Sequence, residues 1–376
     1  MTKPIFISHS IYRSSSYGVG HPLAIPRVSL ATDLVRALGW LDATNYIESR
    51  QATIAELTNF HDVDYVQSLI SAEISAPSEA DKVRYNIGKN GNPIYPEMFR
   101  RPATACGGGL MAAALLMSGK ADCIFNVAGG QHHGLASKAS GFCYLNEPVL
   151  TIKNLLERGA RRVFYLDIDA HFGDGTQLAF HEENRVFTLS IHEHGRWPQS
   201  RNIKLGAAGS VEDRAGGEAR NLPVPEGLND TEFNYLIDTV ALPLISRFSP
   251  EVIYLQCGAD ALSDDPQSKL DLSNRALWRV VEQLKKLAFP LLVSGGGGYN
   301  PFSVSRCWAG VWGKINNVQI PNAINPKAEA LLRNVTWGHR KGKTPPDEWY
   351  MRLADESNEG LIRAEIYDIA EKSLKK

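Results

Sequence analysis

With 376 residues, 43% of them hydrophobic, the chain can bury a large core, and its 40 Lys and Arg nearly balance 41 Asp and Glu, so nothing in its overall charge points to a nucleic-acid or membrane-surface protein. The start, MTKPIFISHS, carries no long apolar stretch behind a basic head, and no later run approaches eighteen uninterrupted apolar residues, so a soluble, cytoplasmic protein is expected. Five scattered cysteines (Cys106, Cys123, Cys143, Cys257 and Cys307) lack CxxC spacing and fit a reduced compartment better than a disulfide framework or a thiolate metal site.

A strand is expected over 5–8 and a helix over about 26–38, with Pro26 early and Gly39 at its end. Segments 53–57 and 63–70 continue the pattern, whereas 75–96, polar and rich in Gly and Pro, reads as a long surface loop. The Ala, Leu and Met-rich stretch 103–118 predicts a helix, and 123–127 a strand that runs into Gly129-Gly130-Gln131-His132-His133-Gly134. A helix over 147–158 leads to the apolar run 163–166, which reads as a buried strand followed by the loop of LDIDAHFGDG, residues 166–175. Strands at 186–191, 251–256 and 290–293 alternate with helices at 231–245 and 274–287. The second of these strands ends in Cys257-Gly258-Ala259-Asp260, the third in a glycine run closed by Tyr299. Residues 321–376 are more charged and read as a helical extension on the outside of the same unit. No repeat, low-complexity tract or composition shift marks a linker. The expectation is one α/β domain over 1–376, three layers deep, with a mostly parallel central sheet covered by helices on both faces.

In an open parallel sheet, ligands bind beyond the carboxyl ends of the strands, and the unusual loops fall there. Asp167, Asp169, His171 and Asp174 put three carboxylates and an imidazole into eight residues, a set that repels itself unless a cation or imidazolium sits among them. If the backbone stays extended across Asp169 and His171, their i, i+2 spacing turns both side chains one way. Together with Asp260 they make an N,O,O donor set with an open position, as a catalytic Zn²⁺ requires. His132 and His133 can transfer protons, Asp167 and Asp174 are available to fix their tautomers, and Tyr299 can donate its hydroxyl to an oxyanion. Taken singly, each feature has a plainer reading. The acidic loop can cap a strand, the histidines can be satisfied imidazoles in a turn, Asp260 can cap a helix, and the glycine run can bind phosphate, although it lacks the Lys and Ser/Thr of a P-loop.

The ordered motifs GGQHHG, GFCYLNE, LDIDAHFGDG, LSIH, GADAL and GGGGY, between about His21 and Trp312, resemble the zinc-dependent histone deacetylase family, of the bacterial deacetylase-like and acetoin-utilisation kind, with the arginase/deacetylase fold. The resemblance implies one catalytic Zn²⁺ on Asp169, His171 and Asp260, with His133 as general base and acid and His132 as its electrostatic partner. It further implies that Asp167 and Asp174 back the two histidines and that Tyr299 polarises an amide carbonyl. A structural monovalent cation, K⁺, is implied near Asp167, Asp169, His171, Ser190 and Ile191, held mostly by backbone carbonyls. Ureohydrolases of the same fold use two manganese ions bridged by further acids. Here Phe172 and Gly173 follow His171 and no acid stands two residues beyond Asp260, which favours one ion.

The activity so implied is removal of an acetyl or other acyl group from a lysine side chain, in a tunnel whose walls match Gly141, Phe142 and Trp197. Deacylation of acetylated polyamines or other small acylated amines is the alternative, and an inactive acyl-lysine-binding protein a third. Several positions depart from the family pattern. Gln267 stands where protein deacetylases usually carry Leu or Met, and Phe172 where a His commonly follows the metal-binding one. Loop 90–96 lacks the rim aspartate that grips the substrate backbone, with Asn92 as a weaker acceptor in its place, and Arg27 matches an arginine associated with an internal release path. The expected partner is an acylated lysine or small acylated amine, with neither nucleic acid nor membrane, and homo-oligomer formation is left open.

Overall fold

The structure is a computed structural model and describes residues 2–199 and 208–375. Among these residues eight strands form one sheet: β1 (Ile5–Ser8), β2 (Tyr46–Glu48), β3 (Cys123–Asn126), β4 (Val163–Asp167), β5 (Val186–Glu193), β6 (Ala219–Val224), β7 (Val252–Gln256) and β8 (Leu291–Ser294). Their order is β2-β1-β3-β8-β7-β4-β5-β6, and every neighbouring pair is parallel. The central strands read as unbroken apolar runs because both of their faces are covered. Alternate residues prove it: Phe164, Leu166, Ile253 and Leu255 enter one core, while Val163, Tyr165, Val252 and Tyr254 enter another on the opposite face. Helices Arg27–Ala37, Asn274–Lys286 and Pro301–Ile315 supply the first core, and Arg100–Met117 and Glu147–Glu157 the second.

Several elements differ from the expectation. Within the stretch read as a loop, Glu79–Tyr85 is a helix, started by the Ser78 hydroxyl accepting from the Asp81 N–H at 3.1 Å and ended by Asn86 at φ 55°. Strands β2 and β6 and the helix Pro301–Ile315 are additions to the predicted set. The helix predicted at 231–245 runs from Asp230 to Phe248 with a π turn over Ile237–Ala241. The tail is helical at Pro326–Arg333, Glu348–Met351 and Ala364–Leu374, and its apolar residues Leu332, Leu353 and Ile366 join the first core. Arg220 and Arg214 donate to the carbonyls of Ser373 and Lys372 at 3.0 and 2.8 Å, neutralising the negative end of the last helix. All five cysteines are buried and free, and no helix among the described residues is long and apolar enough to cross a membrane.

Candidate active site

The loops after β3, β8, β7 and β4 are neighbours because those four strands are adjacent in the sheet. They bring His132 and His133, Tyr299, Asp260, and Asp169 and His171 to one edge.

Strand β4 ends at Asp167, so strand alternation does not aim Asp169 and His171, contrary to the extended backbone considered above. The loop curls instead through successive carboxylate-to-amide bonds: the Asp169 N–H donates to Asp167 Oδ1 and the His171 N–H to Asp169 Oδ1, both at 3.1 Å. The Ala170 N–H reaches across to Asp260 Oδ1 at 2.9 Å, and the Gly297 N–H to Asp169 Oδ2 at 2.6 Å. A Cβ on Gly297 would lie 1.9 Å from Asp260 Oδ2, so only glycine lets the β8 loop close on the carboxylates.

Asp169, His171 and Asp260 each place a donor atom within 4.8 Å of the others, all three buried. His171 Nδ1 stands 2.9 Å from Asp260 Oδ2 and 3.2 Å from Asp169 Oδ1. Burial opposes a charge on His171, but Asp260 and Asp169 outweigh it and raise its pKa to about 10. Burial, and then Asp169, pushes the Asp260 carboxyl up, while Asp169, against its own burial, is held far below the usual range by His132 and His171. Two carboxylates facing one imidazole in a dry pocket demand positive charge, and a divalent cation on this N,O,O set meets that demand without protonating the imidazole. The residues therefore fit Zn²⁺.

His132 Nδ1 lies 2.7 Å from Asp167 Oδ2 and His133 Nδ1 2.7 Å from Asp174 Oδ1, with the two Nε2 atoms 2.9 Å apart. Burial disfavours charge on His132, but Asp167 and Asp169 prevail and lift its pKa to about 9. Burial and the neighbouring His132 press His133 down to about 4. One imidazole is kept charged and the other neutral. Tyr165 donates to the same Asp167 oxygen at 2.8 Å, steadying the carboxylate.

Three residues absent from the sequence reading hold this loop. Buried Glu147 accepts from the Gly130 N–H (2.8 Å), Thr151 (2.7 Å) and Tyr254 (2.5 Å). Asn146 donates to the carbonyls of Gly134 and His132 at 2.8 and 3.2 Å, and His61 Nε2 accepts the Asn146 N–H at 3.0 Å. Asn146 and Glu147 lie in the GFCYLNE motif, which was the available signal, whereas nothing in the sequence marks His61.

A cavity of about 450 Å³ opens over His171, walled by His21, Phe142 and Trp197, with Gln267 and Tyr299 also in its lining. The Trp197 ring sits edge-on to His133 at 4.6 Å, and Phe142 edge-on to Tyr299 at 6.1 Å. Gly141 is at φ 52°, and a Cβ there would strike Trp197 at 2.3 Å and His133 at 2.6 Å. The Tyr299 hydroxyl bonds to no described residue, and burial pushes its pKa well above the usual phenol range. Asn92 is not a rim acceptor: it is 1% exposed, and its Oδ1 already accepts the Phe142 N–H at 2.9 Å. Arg27 donates to the carbonyls of Gly296 and Gly298 at 2.5 and 3.5 Å, and Phe172 packs on the His192 ring at 5.0 Å. Asp167 and Ser190 are register partners of β4 and β5, which sets Ser190 and Ile191 beside the start of the acidic loop.

The profile of the histone deacetylase domain matches residues 21–315. Histone deacetylase RPD3 of Saccharomyces cerevisiae is 34% identical over 309 residues, which cover 81% of this chain and 69% of that one. Histone deacetylase 9 of Arabidopsis thaliana is 35% identical over 313 residues, with 82% and 72% covered, and human histone deacetylase 1 is 32% identical over 314, with 82% and 63% covered. A crystal structure of an HDAC homologue from Aquifex aeolicus aligns with a TM-score of 0.91 at 34% identity, over 99% of this chain and 100% of that chain. The same values hold for a crystal structure of an HDAC homologue complexed with SAHA. Sequence and overall structure therefore agree, and the chain belongs to the histone deacetylase family.

Proposed function

We propose that this chain is a zinc-dependent amidohydrolase that removes acetyl or other acyl groups from lysine side chains. The observation that carries the reading is the gathering of the Asp169, His171 and Asp260 donors, a carboxylate-backed histidine pair and a free Tyr299 hydroxyl around one aromatic-walled cavity. Asp169, His171 and Asp260 would hold the zinc ion, which when bound would supply Lewis acidity to polarise a carbonyl and acidify a water molecule. His133, neutral and fixed at Nδ1 by Asp174, takes the proton of the attacking water at Nε2 and returns it to the leaving amine. His132, charged against Asp167, keeps its neighbour neutral and offsets the negative charge that develops. Tyr299, kept protonated by burial, donates to the oxyanion forming on the acyl carbon. Phe142 and Trp197 flank an aliphatic stem, Gly141 leaves room between them, and Gln267 offers a polar, uncharged contact at the mouth. Carbonyls near Asp167, Asp169, His171, Ser190 and Ile191 would hold K⁺, and the buried free cysteines suit a reducing cytoplasm.

A second reading, hydrolysis of acetylated polyamines or other small acylated amines, is favoured by Asn92, whose amide is committed inside the protein and grips no peptide. The deciding experiment compares hydrolysis of acetyl-lysine peptides, longer acyl-lysines, acetylated polyamines and small acyl amides by the zinc-loaded chain, with a chelated control. Peptide preference lost on chelation supports the first reading, preference for free small amides supports the second, and a metal-loaded chain inert on all of them overturns both.

A further inference from the structure

Asp265 is only 4% exposed, five residues beyond Asp260, with burial and then Asp260 pushing its carboxyl pKa well up, and no step above uses it. Its two oxygens accept from two separate parts of the site. Oδ2 takes the Tyr299 N–H at 2.6 Å and Oδ1 the Gln267 N–H at 2.8 Å. One of these residues supplies the phenol and the other lies at the cavity mouth, so a single planar group spans the mouth and the phenol-bearing backbone.

The Tyr299 segment depends on such ties. Gly296 and Gly298 take φ values of 149° and 134°, outside any strand or helix, and between them Gly297 takes the Ala259 N–H on its carbonyl at 2.9 Å and gives its own N–H to Asp169. The flanking groups are held by the Arg27 guanidinium on the carbonyls of Gly296 and Gly298, and Asp265 is the group that holds the Tyr299 amide itself. Asp265 is itself well anchored. Its N–H donates to the Leu262 carbonyl at 2.9 Å, Ser268 Oγ closes the loop onto the Asp260 carbonyl at 2.5 Å, and Asn300 Nδ2 reaches the Asp264 carbonyl at 3.4 Å. Two amides held by one planar group are fixed relative to each other, and a misplacement of about 1 Å at a reacting group can cost on the order of 100-fold in rate.

We propose that Asp265 is a positioning residue that couples the mouth at Gln267 to the placement of the Tyr299 hydroxyl, a role that rests on the deacylase reading for Tyr299. Occupancy of the mouth and orientation of the phenol then change together, because both amides share one carboxylate.

The test uses the zinc-loaded full chain and an acetyl-lysine peptide. Asp265→Asn, which keeps the shape but turns a donor toward one of the two amides, is expected to lower kcat by about tenfold or more while KM changes by less than about threefold. In a Tyr299→Phe background the same substitution is expected to cost less than about twofold, since the hydroxyl it positions is gone. Losses that multiply in the double variant, or an unchanged kcat in Asp265→Asn, overturn the proposal. Hydrogen exchange provides a readout without turnover: Asp265→Asn and Asp265→Ala should both speed exchange at the Gln267 and Tyr299 amides together, with Tm moved by no more than a few degrees. Unchanged protection at either amide overturns the coupling. A wild-type chain inert on every amide tells against the deacylase reading alone, and the exchange result still decides whether Asp265 joins the two segments.

Discussion

The Nε2 atoms of His132 and His133 lie 2.9 Å apart, while their Nδ1 atoms rest on different carboxylates, Asp167 and Asp174. In the resting site only one of these facing nitrogens holds a proton, the buried Asp167 settling the charge on His132, and the second proton that His133 takes in turnover is held only until the amine leaves. Asp167→Asn removes the largest of the carboxylate influences that together raise the His132 pKa to about 9, so the alkaline limb of kcat/KM is expected to move to lower pH. A pH–rate profile at constant zinc loading checks this, and a stationary limb would take the His132 charge out of the mechanism. Asp174→Asn should leave that limb in place and lower kcat by about 10–100-fold, because it loosens the orientation of His133.

Tyr299 offers a hydroxyl to the cavity but is not one of the metal donors. Tyr299→Phe is therefore expected to reduce kcat by roughly 100–1,000-fold while one zinc per chain is retained. Turnover and metal analysis on the same sample separate these effects, and full activity in the variant would remove Tyr299 from catalysis.

The mutual repulsion of Asp169 and Asp260 makes the site a source of instability until a cation joins it. Zinc is expected to raise Tm, by an amount corresponding to about 2.7 kcal/mol at a hundredfold excess over Kd. Asp260→Ala should lose this increment. Calorimetry with and without chelator decides the matter, and equal Tm values for the intact chain would contradict a metal on these residues.

His61 is buried with both ring nitrogens committed, Nε2 accepting the Asn146 N–H and Nδ1 donating to the Leu135 carbonyl at 3.1 Å, so burial holds its pKa at about 4. Above pH ~6.5, the ordinary histidine value, neither the folded nor the unfolded chain carries this proton. Between ~6.5 and 4 the unfolded chain binds it and the folded chain does not, so stability falls as pH falls through that window. In metal-free protein, His61→Gln should flatten the decline of Tm between pH 6.5 and 4. An identical slope in both proteins would show that His61 does not titrate as its surroundings require.

What the sequence reveals follows from which forces act locally. Strands β3, β4, β7 and β8 are legible because a strand covered on both faces has to be apolar throughout, and the loops that follow them concentrate Gly, His and Asp. Strand β6 hides, since ARNLPV carries Arg220, Asn221 and Pro223 and its polar groups find partners far away, Arg220 at Ser373 and Asn221 at Gln177. The helix Pro301–Ile315 is buried on nearly every side, so it has no polar face for a periodic pattern to reveal. Glu79–Tyr85 spans too few residues to show a period. The roles of Asp265 and Asn92 stay hidden, and Asn92 reads wrongly as a rim acceptor, because each bonds a backbone amide 34 or 50 residues away, a relation that no local spacing encodes.

Strand β8, the last in the chain, lies between β3 and β7, so before it arrives β2-β1-β3 and β7-β4-β5-β6 share no ladder. The division is also chemical. Asp169, His171 and Asp260 follow β4 and β7, His132 and His133 follow β3, and Tyr299 follows β8 itself. The two groups of strands, and the two sets of side chains that follow them, meet only across β8. On the proposed reading, the four residues Leu291–Ser294 would join the donor-bearing strands to the strand that carries the histidine pair, so completing the sheet would also complete the site.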